Sequence, residues 1–131
     1  NLIMKVILVD AINTLIIPEE GIYVPLFDLL ETYPNRKIIL TGANDQEMEY
    51  HGLDNSPYEV FTMKHNPEKS NSDYYKILID QFDLKVENLI YIEHNLEAVH
   101  SAESMNINVY HYDKDSKDLE KLNEFLINNL H

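Results

Sequence analysis

The chain has 131 residues, 44% of them hydrophobic, which suits one compact core (residues 1–131) and leaves no room for a second domain. Lysine and arginine number 10 against 23 for aspartate and glutamate, a formal net charge of −13 with a pI near 4.6, so nucleic acid and anionic membrane surfaces are repelled. Cysteine is absent, which excludes disulfides, thiolate catalysis and cysteine-ligated zinc and suits a reducing compartment.

The run Met4-Lys5-Val6-Ile7-Leu8-Val9 is apolar on both faces and rich in β-branched residues, the pattern of a central strand in a covered parallel sheet, and it ends at Asp10. It is too short to span a bilayer and lacks the basic flank and cleavage site of a secretory signal, so a cytoplasmic location is expected. A loop with Pro18 and Gly21 follows, then a helix near Tyr23 to Tyr33 with Leu26, Leu29, Leu30 and Tyr33 at helical spacing, closed by Pro34. Lys37 to Leu40 reads as a second buried strand ending at Thr41-Gly42, and Asp45 to Gly52 as a short helix with a glycine stop.

Tyr58 to Thr62 gives a third strand, after which Ser72 is the expected N-cap of a helix through Phe82 carrying Tyr75, Leu78, Ile79 and Phe82 on one face. Asn88 to Ile92 is a fourth strand, Leu96 to Met105 a helix, Ile107 to Tyr110 a fifth strand and Leu119 to Leu130 a closing amphipathic helix. This alternation predicts an α/β three-layer sandwich around a mostly parallel five-stranded sheet. Ligands of such sheets bind outside the carboxyl ends of the strands, which directs attention to Asp10, Thr41, the stretch after Thr62, and Glu93.

The run Val6 to Leu15, with Asp10-Ala11-Ile12-Asn13-Thr14, resembles the first motif of the haloacid-dehalogenase-like (HAD) hydrolase superfamily, a buried strand leading to a nucleophilic aspartate. Ile38-Ile39-Leu40-Thr41-Gly42 looks like the second motif, Lys69-Ser70-Asn71-Ser72-Asp73 like the lysine-led third, and Ile90-Tyr91-Ile92-Glu93-His94 like the acidic fourth. The resemblance covers nearly the whole chain and implies a Rossmann-like fold.

It also implies chemistry. Asp10 would attack phosphorus and form an aspartyl-phosphate, splitting one displacement into two easier ones. Thr41 and Lys69 would hold the phosphoryl oxygens, with Lys64 a competitor for the lysine's role. Mg²⁺ would be held by Asp10, the Ile12 backbone carbonyl and Glu93, and the partner would be a phosphorylated small molecule or macromolecule.

Two positions depart from the pattern. Ile12 stands where the phosphatase branch has its general acid and base, a group typically worth about 10² to 10⁴ in rate. A substrate whose leaving group needs no proton, such as an acyl or aryl phosphate, tolerates that loss. His94 replaces a second acidic residue, so two carboxylates are missing and attraction for a divalent cation falls; the histidine itself reads either as an acid near neutral pH or as a partly exposed hydrogen-bonding residue.

Asp10-Ala11-Ile12 also resembles the dehalogenase branch, but residues 15–23 and 62–69 are too short for the helical cap of those enzymes. Two readings follow: a capless phosphohydrolase of weak activity, or a non-catalytic relative that binds a protein or a phosphorylated ligand. His51, His65, His100 and His111 show no metal-ligand spacing and read as structural, as do Tyr74 and Tyr75 in their helix.

Overall fold

The computed structural model describes residues 4–130. In chain order it forms β1 (Val6–Asp10), a hairpin of β2 (Ile16–Ile17) and β3 (Gly21–Ile22), α1 (Val24–Glu31), β4 (Lys37–Thr41), α2 (Asp45–Tyr50) and β5 (Glu59–Thr62). There follow α3 (Asp73–Gln81), β6 (Leu89–Glu93), α4 (Leu96–Ser104), β7 (Asn108–His111) and α5 (Leu119–Asn129). The main sheet has the order β5-β4-β1-β6-β7, with every neighbouring pair parallel.

Because side chains alternate across a strand, the continuous apolar runs feed two cores at once. Ile7, Val9, Ile39, Ile90 and Ile92 face Leu26 and Leu30 of α1 and Leu122 and Leu126 of α5. Leu8, Ile38, Leu40 and Tyr91 face Tyr74, Tyr75 and Leu78 of α3 and Ala102 of α4. Each fully buried aliphatic side chain contributes about 1.5–3 kcal/mol, so a strand buried on both faces is the most strongly specified kind. The predicted three-layer α/β sandwich is present, with a sheet that is parallel throughout.

Two local features differ from the sequence expectation. The segment after Asp10 is not a plain loop: Ile16 and Ile17 pair antiparallel with Ile22 and Gly21, and Leu15 and Ile16 are buried. These two-residue strands are too short to leave a period-2 signature. Ser72 precedes α3 but its hydroxyl makes no capping bond; Asn71 Oδ1 instead accepts the Asp73 N–H at 2.9 Å. The other helices of the functional edge are capped by side chains, α2 by Asn44 in a capping box with Glu47 and α4 by Asn95.

The register sets the site. Asp10 lies beside Leu40, Thr41 beside Thr62 and Glu93 beside His111, so β1, β4 and β6 all release their last polar residue at one edge of the sheet. No helix among the described residues is long and apolar enough to cross a membrane.

Candidate active site

Asp10 is the last residue of β1 and is 2% exposed. The chain turns sharply after it, with the Leu15 N–H donating to the Asp10 carbonyl at 3.2 Å and the Ile16 N–H to the Ala11 carbonyl at 2.8 Å. That turn brings Thr14 back over the carboxylate, where its hydroxyl donates to Oδ2 at 2.8 Å. The Lys69 ammonium donates to Oδ1 at 2.5 Å, and His94 Nδ1 lies 2.5 Å from Oδ2.

Glu93 ends β6 and is fully buried. Its Oε1 accepts from Lys69 Nζ at 2.7 Å and from the Tyr91 hydroxyl, and its Oε2 accepts the Asn95 N–H at 2.9 Å. Lys69 therefore bridges the two carboxylates, and it, not Lys64, is the lysine that reaches Asp10; Lys64 pairs with exposed Asp45 at 3.0 Å.

Thr41 ends β4, 4% exposed, with its Oγ1 accepting the Ala43 N–H at 3.2 Å, which leaves the hydroxyl proton to donate elsewhere. The Tyr74 hydroxyl fixes the strand end by donating to the carbonyls of Thr41 at 2.8 Å and Phe61 at 3.1 Å. Asp10, Ile12, Thr41, Gly42, Lys69 and His94 line a cleft of about 420 Å³.

Burial alone would push the Asp10 carboxyl up, but the Lys69 ammonium and the hydrogen bond and charge of His94 outweigh it and hold the group down at about 2. Burial and the neighbouring Asp10 charge push Glu93 up, with Lys69 opposing. Lys69 is raised despite burial by the Asp10 and Glu93 carboxylates, and His94 is raised chiefly by its hydrogen bond to Asp10 against burial. Asp10 is thus an ionised buried carboxylate clasped by the Lys69 ammonium and the His94 ring, one wall of an open cleft.

The expected residues converge, and several others join them. Thr14 sits four residues after Asp10, a position legible only once the turn is known, and Tyr91 shares the strand face of Glu93 at a spacing of two. His51 and His65, read as structural, line the cleft as well; His65 is held between Glu47 at 2.5 Å and Glu68 at 2.6 Å.

The donors expected for Mg²⁺ are differently disposed. Both Glu93 oxygens are taken by protein donors, Asp10 Oδ2 is covered by Thr14 and His94, and only the Ile12 carbonyl stands outside the turn's hydrogen bonds. Asp10, Glu93 and His94 do bring ligand atoms within 4.8 Å of one another. That set includes a ring nitrogen, whereas Mg²⁺ takes near-octahedral oxygens at about 2.0–2.1 Å. As placed, these residues do not fit magnesium.

The sheet order and helix layers are those of a haloacid-dehalogenase-like fold. Among solved structures, the chain is similar to a HAD family enzyme from Bacteroides thetaiotaomicron, an aspartate-to-alanine mutant in complex with magnesium and inorganic phosphate, with a TM-score of 0.58 and 13% identity over 72% of this chain. This chain spans 55% of the length of that protein. It is also similar to the core domain of a proposed phosphoglycolate phosphatase from Streptococcus pneumoniae TIGR4, with a TM-score of 0.56 and 14% identity over 82% of this chain and 79% of that one. At these identities the likeness is one of fold. No family model and no curated protein matches the sequence.

Proposed function

We propose that the chain is one capless HAD-like domain that hydrolyses a phosphate carried on a good leaving group, with Asp10 as nucleophile. The observation that carries this reading is the buried Asp10 carboxylate, kept ionised by Lys69 and His94 at the wall of an open cleft. The phosphorylated substrate and the hydrolase chemistry also accord with the two structures of similar fold, a HAD family enzyme in complex with inorganic phosphate and the core domain of a proposed phosphoglycolate phosphatase.

An Asp10 oxygen attacks phosphorus as the bond from phosphorus to the leaving oxygen breaks, and that oxygen departs with the electron pair. A carboxylate or aryloxide leaves without a proton, which suits a site where Ile12 supplies no acid. Thr41 and Lys69 stand on the cleft wall to donate to the phosphoryl oxygens, and fixed donors of this kind are the main catalytic term in phosphoryl transfer. Water then attacks phosphorus, the bond to Asp10 breaks, one water proton stays on phosphate and the other passes to solvent. Because the oxygens expected for magnesium are engaged, no step is assigned to the metal.

A second reading, a phosphate-binding domain without turnover, is favoured by one observation: both Asp10 oxygens already accept hydrogen bonds, which lowers their nucleophilicity. Acetyl phosphate and an aryl phosphate separate the two. Turnover by the native chain that disappears in Asp10→Asn supports the hydrolase; no turnover in either, with inorganic phosphate still bound, leaves the binding domain.

A further inference from the structure

His94 closes the side of Asp10 that Lys69 leaves open. Its Nδ1 stands 2.5 Å from Asp10 Oδ2, 3.5 Å from Glu93 Oε2 and 3.4 Å from Thr14 Oγ1, which puts one ring atom between the two carboxylates opposite the ammonium. From this geometry we infer that the His94 ring occupies the place at Asp10 that Mg²⁺ would need, making the cleft a magnesium-free phosphate site. The inference deepens the hydrolase reading and rests on it for the reaction, though not for the occupancy.

Three observations support it. The first is steric: a cation at magnesium's bonding distance of about 2.0–2.1 Å from Oδ2 would collide with the ring atom already in hydrogen-bond contact with that oxygen. The backbone that carries the ring is tied down. Its side chain is only 19% exposed, the His94 carbonyl pairs with His111 Nε2 at 2.9 Å, and the Glu93 carbonyl before it accepts the Tyr112 N–H at 2.8 Å. The end of β7 thus holds the backbone on which the ring is hung.

The second is donor supply. Magnesium would compete for Glu93 oxygens that already accept from Lys69, Tyr91 and the Asn95 N–H, weakening three buried hydrogen bonds. The third is charge. Asp10 and Glu93 face Lys69 and His94, two anions against two potential cations, and Ile12 adds no third carboxylate to hold a further double charge. An incoming phosphate dianion then meets Lys69 and the His94 ring on the cleft wall.

The test is a calorimetric titration of native protein and of His94→Ala with Mg²⁺, without phosphate. Native protein should show no binding at millimolar Mg²⁺, and His94→Ala should bind at least about tenfold more tightly, a gain of about 1.4 kcal/mol that a merely structural histidine would not produce. Native affinity equal to or better than that of the variant overturns the inference, and so does absence of binding in both. Should His94→Ala not fold, the ring nitrogen resonances of His94 in native protein decide: unchanged by millimolar Mg²⁺ they uphold the inference, and displaced they overturn it. Acetyl phosphate turnover that survives a chelator upholds it and turnover that a chelator abolishes overturns it. A total lack of turnover sinks the hydrolase reading, while the magnesium titration still decides the occupancy.

Discussion

Lys69 Nζ stands 2.7 Å from Glu93 Oε1 and at the same time 2.5 Å from Asp10 Oδ1, so one ammonium, 15% exposed, is shared by the carboxylates at the buried ends of two strands. Removing one partner of a buried ion pair leaves an uncompensated charge, which is typically worse by about 3–5 kcal/mol. Lys69→Met is therefore expected to destabilise the fold by about that amount, and Asp10→Asn in the same chain to restore part of it. Urea unfolding of the two single variants and the double variant checks the coupling.

Acid should unfold the protein through Asp10. Its folded-state value of about 2 lies below the ordinary 3.8, so the stability it contributes is present above pH ~4 and is lost as pH falls toward 2, on the order of 2 kcal/mol. His94 works in the opposite sense. Its value is raised from 6.5, so its contribution is complete below that pH and is lost as pH rises through the higher folded value. Glu93, raised from 4.5, adds to the decline above that pH, since its ionised form is disfavoured in the fold. The groups facing His94 are Asp10, Glu93 and Lys69, and His94→Gln should flatten the alkaline decline and also shrink the acid one, since the His94 hydrogen bond and charge help to hold Asp10 down. Midpoints of urea unfolding across pH read both limbs.

Tyr74 is fully buried, and its hydroxyl joins β4 to β5 just where Thr41 enters the cleft. Tyr74→Phe keeps the ring packed against Phe61 and Tyr75 and removes only the oxygen. The expected loss is about 1–3 kcal/mol, from two carbonyls left short of a donor, with Thr41 less firmly held. Denaturant unfolding gives the first quantity, and a weaker titration with inorganic phosphate gives the second.

Two glycines should respond differently to alanine. A Cβ on Gly42 would lie 3.3 Å from His65 Nδ1, so Gly42→Ala pushes a half-exposed ring that Glu47 and Glu68 hold at the cleft mouth. Stability should change by less than about 1 kcal/mol, while the His65 resonances move and phosphate binds less well. Gly21 has open space around it but a φ of +96°, which a side chain disfavours, so Gly21→Ala should cost about 1–2 kcal/mol through the hairpin and leave His65 unmoved.

Long apolar runs carry their own instructions. Ile7 to Val9, Ile38 to Leu40 and Ile90 to Ile92 are buried whichever face they present, so strand identity, sheet class and the polar residue at each strand's end were legible before any coordinates. The spacing of leucines did the same for α1 and α5. The hairpin of β2 and β3 was not legible, because two-residue strands have no period and are made by the turn after Asp10 and the burial of Ile16.

The sequence by itself determined an α/β parallel sheet and the candidates Asp10, Thr41, Lys69 and Glu93, since hydrophobic period and local motif are properties of neighbouring residues. Tertiary structure alone decided what surrounds Asp10. Lys69, 59 positions away, and His94, 84 positions away, reach the same carboxylate because β1 and β6 pair in parallel and α3 is packed across them. Whether a histidine beside a glutamate faces water or a buried aspartate depends on strand register and on the hold of β7 on its backbone, and neither is written in residues 93–95.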